Sequence, residues 1–149
     1  MINVGVIGVG YWGPNIIRNF DGCSQTQMAI ASDLKPERLS FIQKKHPALK
    51  TTADYREIIN DPAIDAVAIC TPVFSHYELA KEALQAGKHV FLEKPMTSTS
   101  QQAEELVHRV QDDPGHLLPA DIRRIARVED DPPHGGASRD GPGRIRNDR

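Results

Sequence analysis

Cysteine is scarce in this sequence. Among 149 residues only Cys23 and Cys70 occur, and they form no C-x-x-C pair. Neither a disulfide framework nor a zinc site is implied, and Cys70, inside an apolar run, reads as a small hydrophobe. Long hydrophobic stretches are missing too. No run approaches the roughly 20 apolar residues that span a bilayer, and the N-terminus has no basic segment leading into an uninterrupted apolar core. A membrane anchor and a secretory signal are therefore not expected, and a cytoplasmic location is. Nor is either sign of charge in excess: the formal net charge is -2. Neither nucleic acid nor an anionic membrane surface is an expected partner on that balance. The length allows one domain with a real core but is short for a two-domain enzyme.

What the sequence does have is a regular alternation of strand and helix signals with short connections, the pattern of a parallel sheet with crossover helices. Five strands are expected, over residues 2–8, 27–33, 49–52, 65–71 and 89–93. The helices between them are expected over residues 13–20, 36–45, 55–60 and from about 76, with a last one from Thr99 to about Gln111. Pro14 suits a first helical turn, where its missing N–H removes nothing. Asp54 is placed to cap the short third helix, and Ser75 with Glu78 three residues on is placed as a capping box for the fourth. Leu39, Ile42 and Phe41 are expected on the buried side of the second helix, and Ala103, Leu106, Val107 and Val110 on that of the last. The run Ala66-Val67-Ala68-Ile69 has no polar alternation, which fits a central strand covered on both faces.

The expected fold is thus α/β, a doubly wound and mostly parallel Rossmann sheet in the order 3-2-1-4-5. Its opening strand runs directly into Gly8-Val9-Gly10-Tyr11-Trp12-Gly13 and then a helix. Alone, G-x-G-x-x-G is a weak signal. After an N-terminal strand and before a helix, it is the arrangement that holds a dinucleotide pyrophosphate against free N–H groups and a helix dipole. Asp33 ends the second strand 20 residues past Gly13, the spacing of a carboxylate that accepts from ribose hydroxyls and repels a 2′-phosphate. NAD is therefore the expected cofactor in preference to NADP. Lys35 and Arg38 follow closely, and are read as an ordinary solvated helix start.

Two further turns fall at the carboxyl edge of the sheet, where ligands of open parallel sheets bind. They are Cys70-Thr71-Pro72, with His76 four residues beyond Pro72, and Glu93-Lys94-Pro95 at the end of Ala86-Gly87-Lys88-His89-Val90-Phe91-Leu92. With Gly8-x-Gly10-x-x-Gly13 these segments resemble the N-terminal domain of the glucose-fructose oxidoreductase / inositol 2-dehydrogenase family over roughly residues 1 to 110. The resemblance implies that Glu93 lies near the nicotinamide ribose and that Lys94 lies beside the hydroxyl being oxidised, as proton-transfer group. It implies a cofactor pocket of Gly8, Gly10, Tyr11, Trp12, Gly13, Asp33, Thr71, Pro72, His76 and Glu93, with no metal ligand. The substrate class implied is a secondary alcohol of a sugar, cyclitol or nucleotide sugar. Val73 stands where many relatives carry Asn, so no polar contact is carried over there, and Tyr11-Trp12-Gly13-Pro14-Asn15 resembles members acting on nucleotide-linked sugars.

From Asp113 onward the composition changes: no lysine and no aromatic residue follows, while seven of the eleven arginines and five of the eleven prolines do. Such a segment buries too little apolar surface to order itself. Residues 1–112 are therefore expected to form the dinucleotide-binding domain and residues 113–149 an irregular tail, disordered or the product of a truncated or frameshifted reading frame. Leu117-Leu118 is the only remnant of a sixth strand, and no substrate domain is recognisable. A non-catalytic NAD-binding fragment is the alternative expectation.

Overall fold

The computed structural model of the chain describes residues 1–112. Its elements in order are β1 (Ile2–Ile7), α1 (Gly13–Asp21), β2 (Thr26–Ser32), α2 (Pro36–Lys45), β3 (Lys50–Thr52), α3 (Arg56–Ile59), β4 (Ala66–Ile69), α4 (His76–Gln85), β5 (His89–Leu92) and α5 (Ser100–Asp112), with a 3-10 turn at Val73–Ser75. The strands form one sheet in the order β3-β2-β1-β4-β5, every pair parallel. The expected topology is therefore present, with boundaries within a residue or two of expectation for most elements. The irregular tail and the Leu117-Leu118 strand remnant lie outside the described residues.

Parallel neighbours need crossovers, and those crossovers cover both faces of the sheet. Alternation along the central strands divides the core accordingly. Val4 and Val6 of β1 and Ala66 and Ala68 of β4 join Ile16, Ile17, Phe20 and Ile42 from α1 and α2 on one face. On the other face Ile7, Val67 and Ile69 pack with Ile58 and Ile59 of α3, Leu79 and Ala83 of α4, and Leu106 of α5. Both clusters are dominated by Ile, Val, Leu and Ala, whose burial drives folding at about 25 cal/mol per Å² of apolar surface.

Three local expectations are corrected. Phe41 is half exposed, not buried, because Ile42 and the partly buried Leu39 already fill the inward stripe of α2. Val107 is likewise exposed, since α5 reaches the core through Leu106 and Val110. Ser75 makes no cap hydrogen bond to α4, because its hydroxyl is held 2.8 Å from both Thr71 Oγ1 and the Pro72 carbonyl oxygen. Asp54 does serve the short third helix: its Oδ1 accepts from the Arg56 N–H at 3.0 Å.

Candidate functional site

The turn between β1 and α1 has a shape that side chains would block. Gly8 has φ +92°, and a Cβ there would lie 2.9 Å from the Cys70 carbonyl carbon and oxygen and from Thr71 Cγ2. A Cβ on Gly13 would run into the Gly8 carbonyl oxygen. The second glycine is less constrained, since a Cβ on Gly10 would meet only the flexible end of Arg38, at 3.3 Å. This compact turn delivers the chain into α1, which has Pro14 in its first turn, no side-chain cap and no acidic residue there. The positive end of the helix thus has no acidic side chain in its first turn, while the Asn15 and Ile16 N–H groups donate to the Trp12 carbonyl oxygen at 2.9 and 3.1 Å.

Asp33 pins the turn from the side. Its Oδ2 accepts from the Val9 N–H at 3.0 Å and from Arg38 Nη1 at 3.2 Å, and its Oδ1 accepts from the Lys35 N–H at 2.9 Å. The Asp33 side chain is 4% exposed, and the Arg38 side chain that neutralises it is 42% exposed. Arg38 is therefore no ordinary solvated helix residue: it belongs to the site. Beside it an open cleft of about 370 Å³ is lined by Val9, Gly10, Tyr11, Pro14, Glu37, Arg38 and Phe41. Tyr11 and Trp12 meet edge to face at 5.3 Å on the rim, with Tyr11 85% exposed.

The other two turns meet the first at the carboxyl edge. The Cys70 N–H donates to Ile7 O at 2.8 Å, and the Glu93 N–H donates to Ile69 O at 3.1 Å, so the ends of β1, β4 and β5 stand side by side. Glu93 is half buried and accepts from the Lys94 N–H at 3.2 Å through Oε2; Lys94 is exposed, and the Lys94–Pro95 bond is cis. Burial, together with the Glu93 charge, pushes the Cys70 thiol up to about 12, so it carries no thiolate at neutral pH and is no nucleophile. His76 is buried, its two ring nitrogens set against the carbonyl oxygens of Thr71 and Pro95.

The sequence-predicted residues therefore fall into two groups, Gly8 to Gly13 with Asp33, and Thr71, Pro72, His76, Glu93 and Lys94. The contact of Gly8 with Cys70 and Thr71 joins them. Sequence reasoning missed Phe41 as a wall of the cleft and Leu34 and Phe74 as exposed apolar groups on turns following β2 and β4. For Leu34 the available signal was a large apolar residue just after a strand and before the helix begins, where no helix stripe explains it.

Residues 2–118 match the family described as an oxidoreductase family with an NAD-binding Rossmann fold. Among similar proteins, a scyllo-inositol 2-dehydrogenase (NADP(+)) of Bacillus subtilis is 36% identical over 122 residues, covering 78% of this chain and 32% of that protein. A myo-inositol 2-dehydrogenase of Thermotoga maritima is 30% identical over 110 residues, covering 74% and 33%. The structure of a 3-ketoreductase from Actinomadura kijaniata, in complex with NADP and TDP-benzene, superposes with a TM-score of 0.69 at 27% identity, covering 74% of this chain and 34% of that one. The chain thus spans about a third of the length of the relatives it matches.

Proposed function

The chain belongs to the oxidoreductase family with an NAD-binding Rossmann fold, and from that membership we propose that it serves hydride transfer between a nicotinamide cofactor and a secondary alcohol of a sugar, cyclitol or nucleotide sugar. Residues 2–118 are its nicotinamide-dinucleotide-binding domain. One observation carries the reading: the glycine turn, which folds tightly only because Gly8 and Gly13 put no Cβ against the Cys70 and Gly8 carbonyls, is packed directly against the Thr71 turn and opens α1. Such a turn at a helix N-terminus fits a pyrophosphate. When bound, the cofactor supplies the hydride acceptor.

In this reading Gly8, Gly10 and Gly13 hold the pyrophosphate, and Tyr11 and Trp12 flank it. Asp33 faces the adenosine ribose, its charge favouring NAD over NADP. Thr71 and Pro72 form the wall beside the glycine turn, and the buried His76 backs that wall toward the nicotinamide end. Glu93 accepts from the nicotinamide ribose, and Lys94 takes the proton of the alcohol as it is oxidised, a role open to a lysine desolvated by substrate and cofactor. The two free cysteines suit a cytoplasmic location.

The share of its relatives that the chain spans favours a second reading, an NAD-binding module without turnover. Calorimetric titration with NADH beside turnover assays on inositols and nucleotide sugars separates them. Binding with turnover is the expected result for the oxidoreductase; binding alone assigns the module, and the absence of both defeats the two readings together.

A further inference from the structure

His76 occupies an unusual chemical position at the edge of the site. It is 1% exposed, its Nε2 lies 2.7 Å from the Thr71 carbonyl oxygen, and its Nδ1 lies 3.0 Å from the Pro95 carbonyl oxygen. Carbonyls only accept, so the ring can act here only by donating; a neutral ring donates to one of them and a doubly protonated ring to both. A polar ring this deeply buried is tolerated only because its hydrogen bonds are made. An apolar residue of the same size would leave the Thr71 and Pro95 carbonyls without this donor.

Thr71 and Pro95 lie 24 residues apart on two different turns, yet one side chain spans them. Thr71 belongs to the turn that touches Gly8, while Pro95 immediately follows Lys94. The imidazole sits at the first residue of α4, and the Ser75 hydroxyl holds Thr71 Oγ1 at 2.8 Å, fixing the near side of the bridge. We propose that His76 is a positioning residue, a clasp that sets the Glu93-Lys94-Pro95 turn against the Thr71 turn and so places Lys94 for the nicotinamide end of the cofactor. This rests on the reading that the Glu93-Lys94 turn serves that end. His76 acts through Pro95 and touches no reacting atom.

A purely structural role and a clasp differ in what they do to the two ends of the ligand. The intact chain and its His76→Phe and His76→Gln variants are titrated with NADH and with ADP-ribose, which lacks the nicotinamide. Amide hydrogen exchange at Lys94, Met96 and Thr97 is followed without ligand. His76→Phe should lower NADH affinity roughly tenfold, the scale of one or two lost hydrogen bonds, and leave ADP-ribose within about twofold. Exchange in the turn should accelerate, and His76→Gln, whose amide nitrogen can donate to one of the two carbonyls, should fall between. Equal losses for NADH and ADP-ribose, or unchanged exchange in the turn, overturn the proposal. If His76→Phe does not fold, His76→Gln carries the same comparison. A wild-type chain that binds neither ligand defeats the cofactor reading instead, and exchange in the turn alone then decides whether the clasp exists.

Discussion

At the scale of single residues, the site turns on Asp33 and the charge beside it. The carboxylate accepts two backbone N–H groups and Arg38 Nη1, so it holds the glycine turn in shape besides being the group proposed to face a ribose. Removing it frees a guanidinium at the cleft, and guanidinium groups recognise phosphate well. Asp33→Ser should therefore raise the ratio of NADP to NAD affinity by roughly tenfold, the worth of one charge-assisted contact, and Arg38→Ala should lower it. Paired titrations with NADPH and NADH measure this; a ratio unmoved by both variants contradicts the assignment of the cleft. Asp33 was legible in the sequence because its distance from Gly13 follows from one helix and one strand of ordinary length. Its pairing with Arg38 was not, since it depends on the path of residues 33–36, and helical periodicity alone turns Arg38 toward water. Gly8 and Gly13 were legible as glycines of a turn; that Gly8 is also excluded from carrying a side chain by Cys70 and Thr71 is a contact between sequence-distant turns.

At the scale of elements, α5 is attached to α4 by charge as well as by Leu106. Glu105 accepts from the Tyr77 hydroxyl at 2.6 Å and from Arg109 Nη2 at 3.0 Å, and Lys81 Nζ lies 3.3 Å away. The Tyr77 hydrogen bond, then those of Arg109 and Lys81, hold its carboxyl at about 2 against an ordinary 4.5. The folded carboxyl thus binds its proton less readily than the unfolded one. The stability it contributes is complete above pH 4.5 and is lost as pH falls toward about 2. Protection of the amides of residues 100–111, taken relative to their intrinsic exchange rates, should fall across that window. Glu105→Gln should flatten the dependence, and added salt should reduce it, since the Glu105 side chain is 42% exposed. An identical pH profile in the variant would rule out the cluster as the cause. The helix itself was legible from its apolar spacing, and so was the inward role of Leu106. Val107 was not, because periodicity marks a stripe wider than the one α4 and the sheet cover. The same holds for Phe41 in α2, and in both cases the neighbour that packs first decides which apolar residue stays outside. Ser75 fails as a cap for another reason: the 3-10 turn before α4 gives its hydroxyl nearer partners in Thr71 and Pro72.

At the scale of the whole molecule, the order of the strands brings three separate turns to one edge, the edge to which the proposed cofactor site is assigned. The topology was legible because unbroken apolar runs such as Ala66–Ile69 mark central parallel strands, and short connections leave few ways to wind them. The bridging of the turns by His76, and the crowding of Gly8 by Thr71, arise only when the sheet is assembled. The central claim is that this edge holds a nicotinamide dinucleotide, and a calorimetric titration of the intact chain with NADH, repeated on Gly8→Ala, tests it most directly. Alanine at φ +92° is strained and meets the Cys70 carbonyl, a penalty of about 1–3 kcal/mol. Single-site binding by the wild type is expected, lost or at least tenfold weaker in a variant whose far-UV circular dichroism is unchanged. A folded wild-type chain that does not bind NADH, or a folded Gly8→Ala chain that binds it equally well, would contradict it.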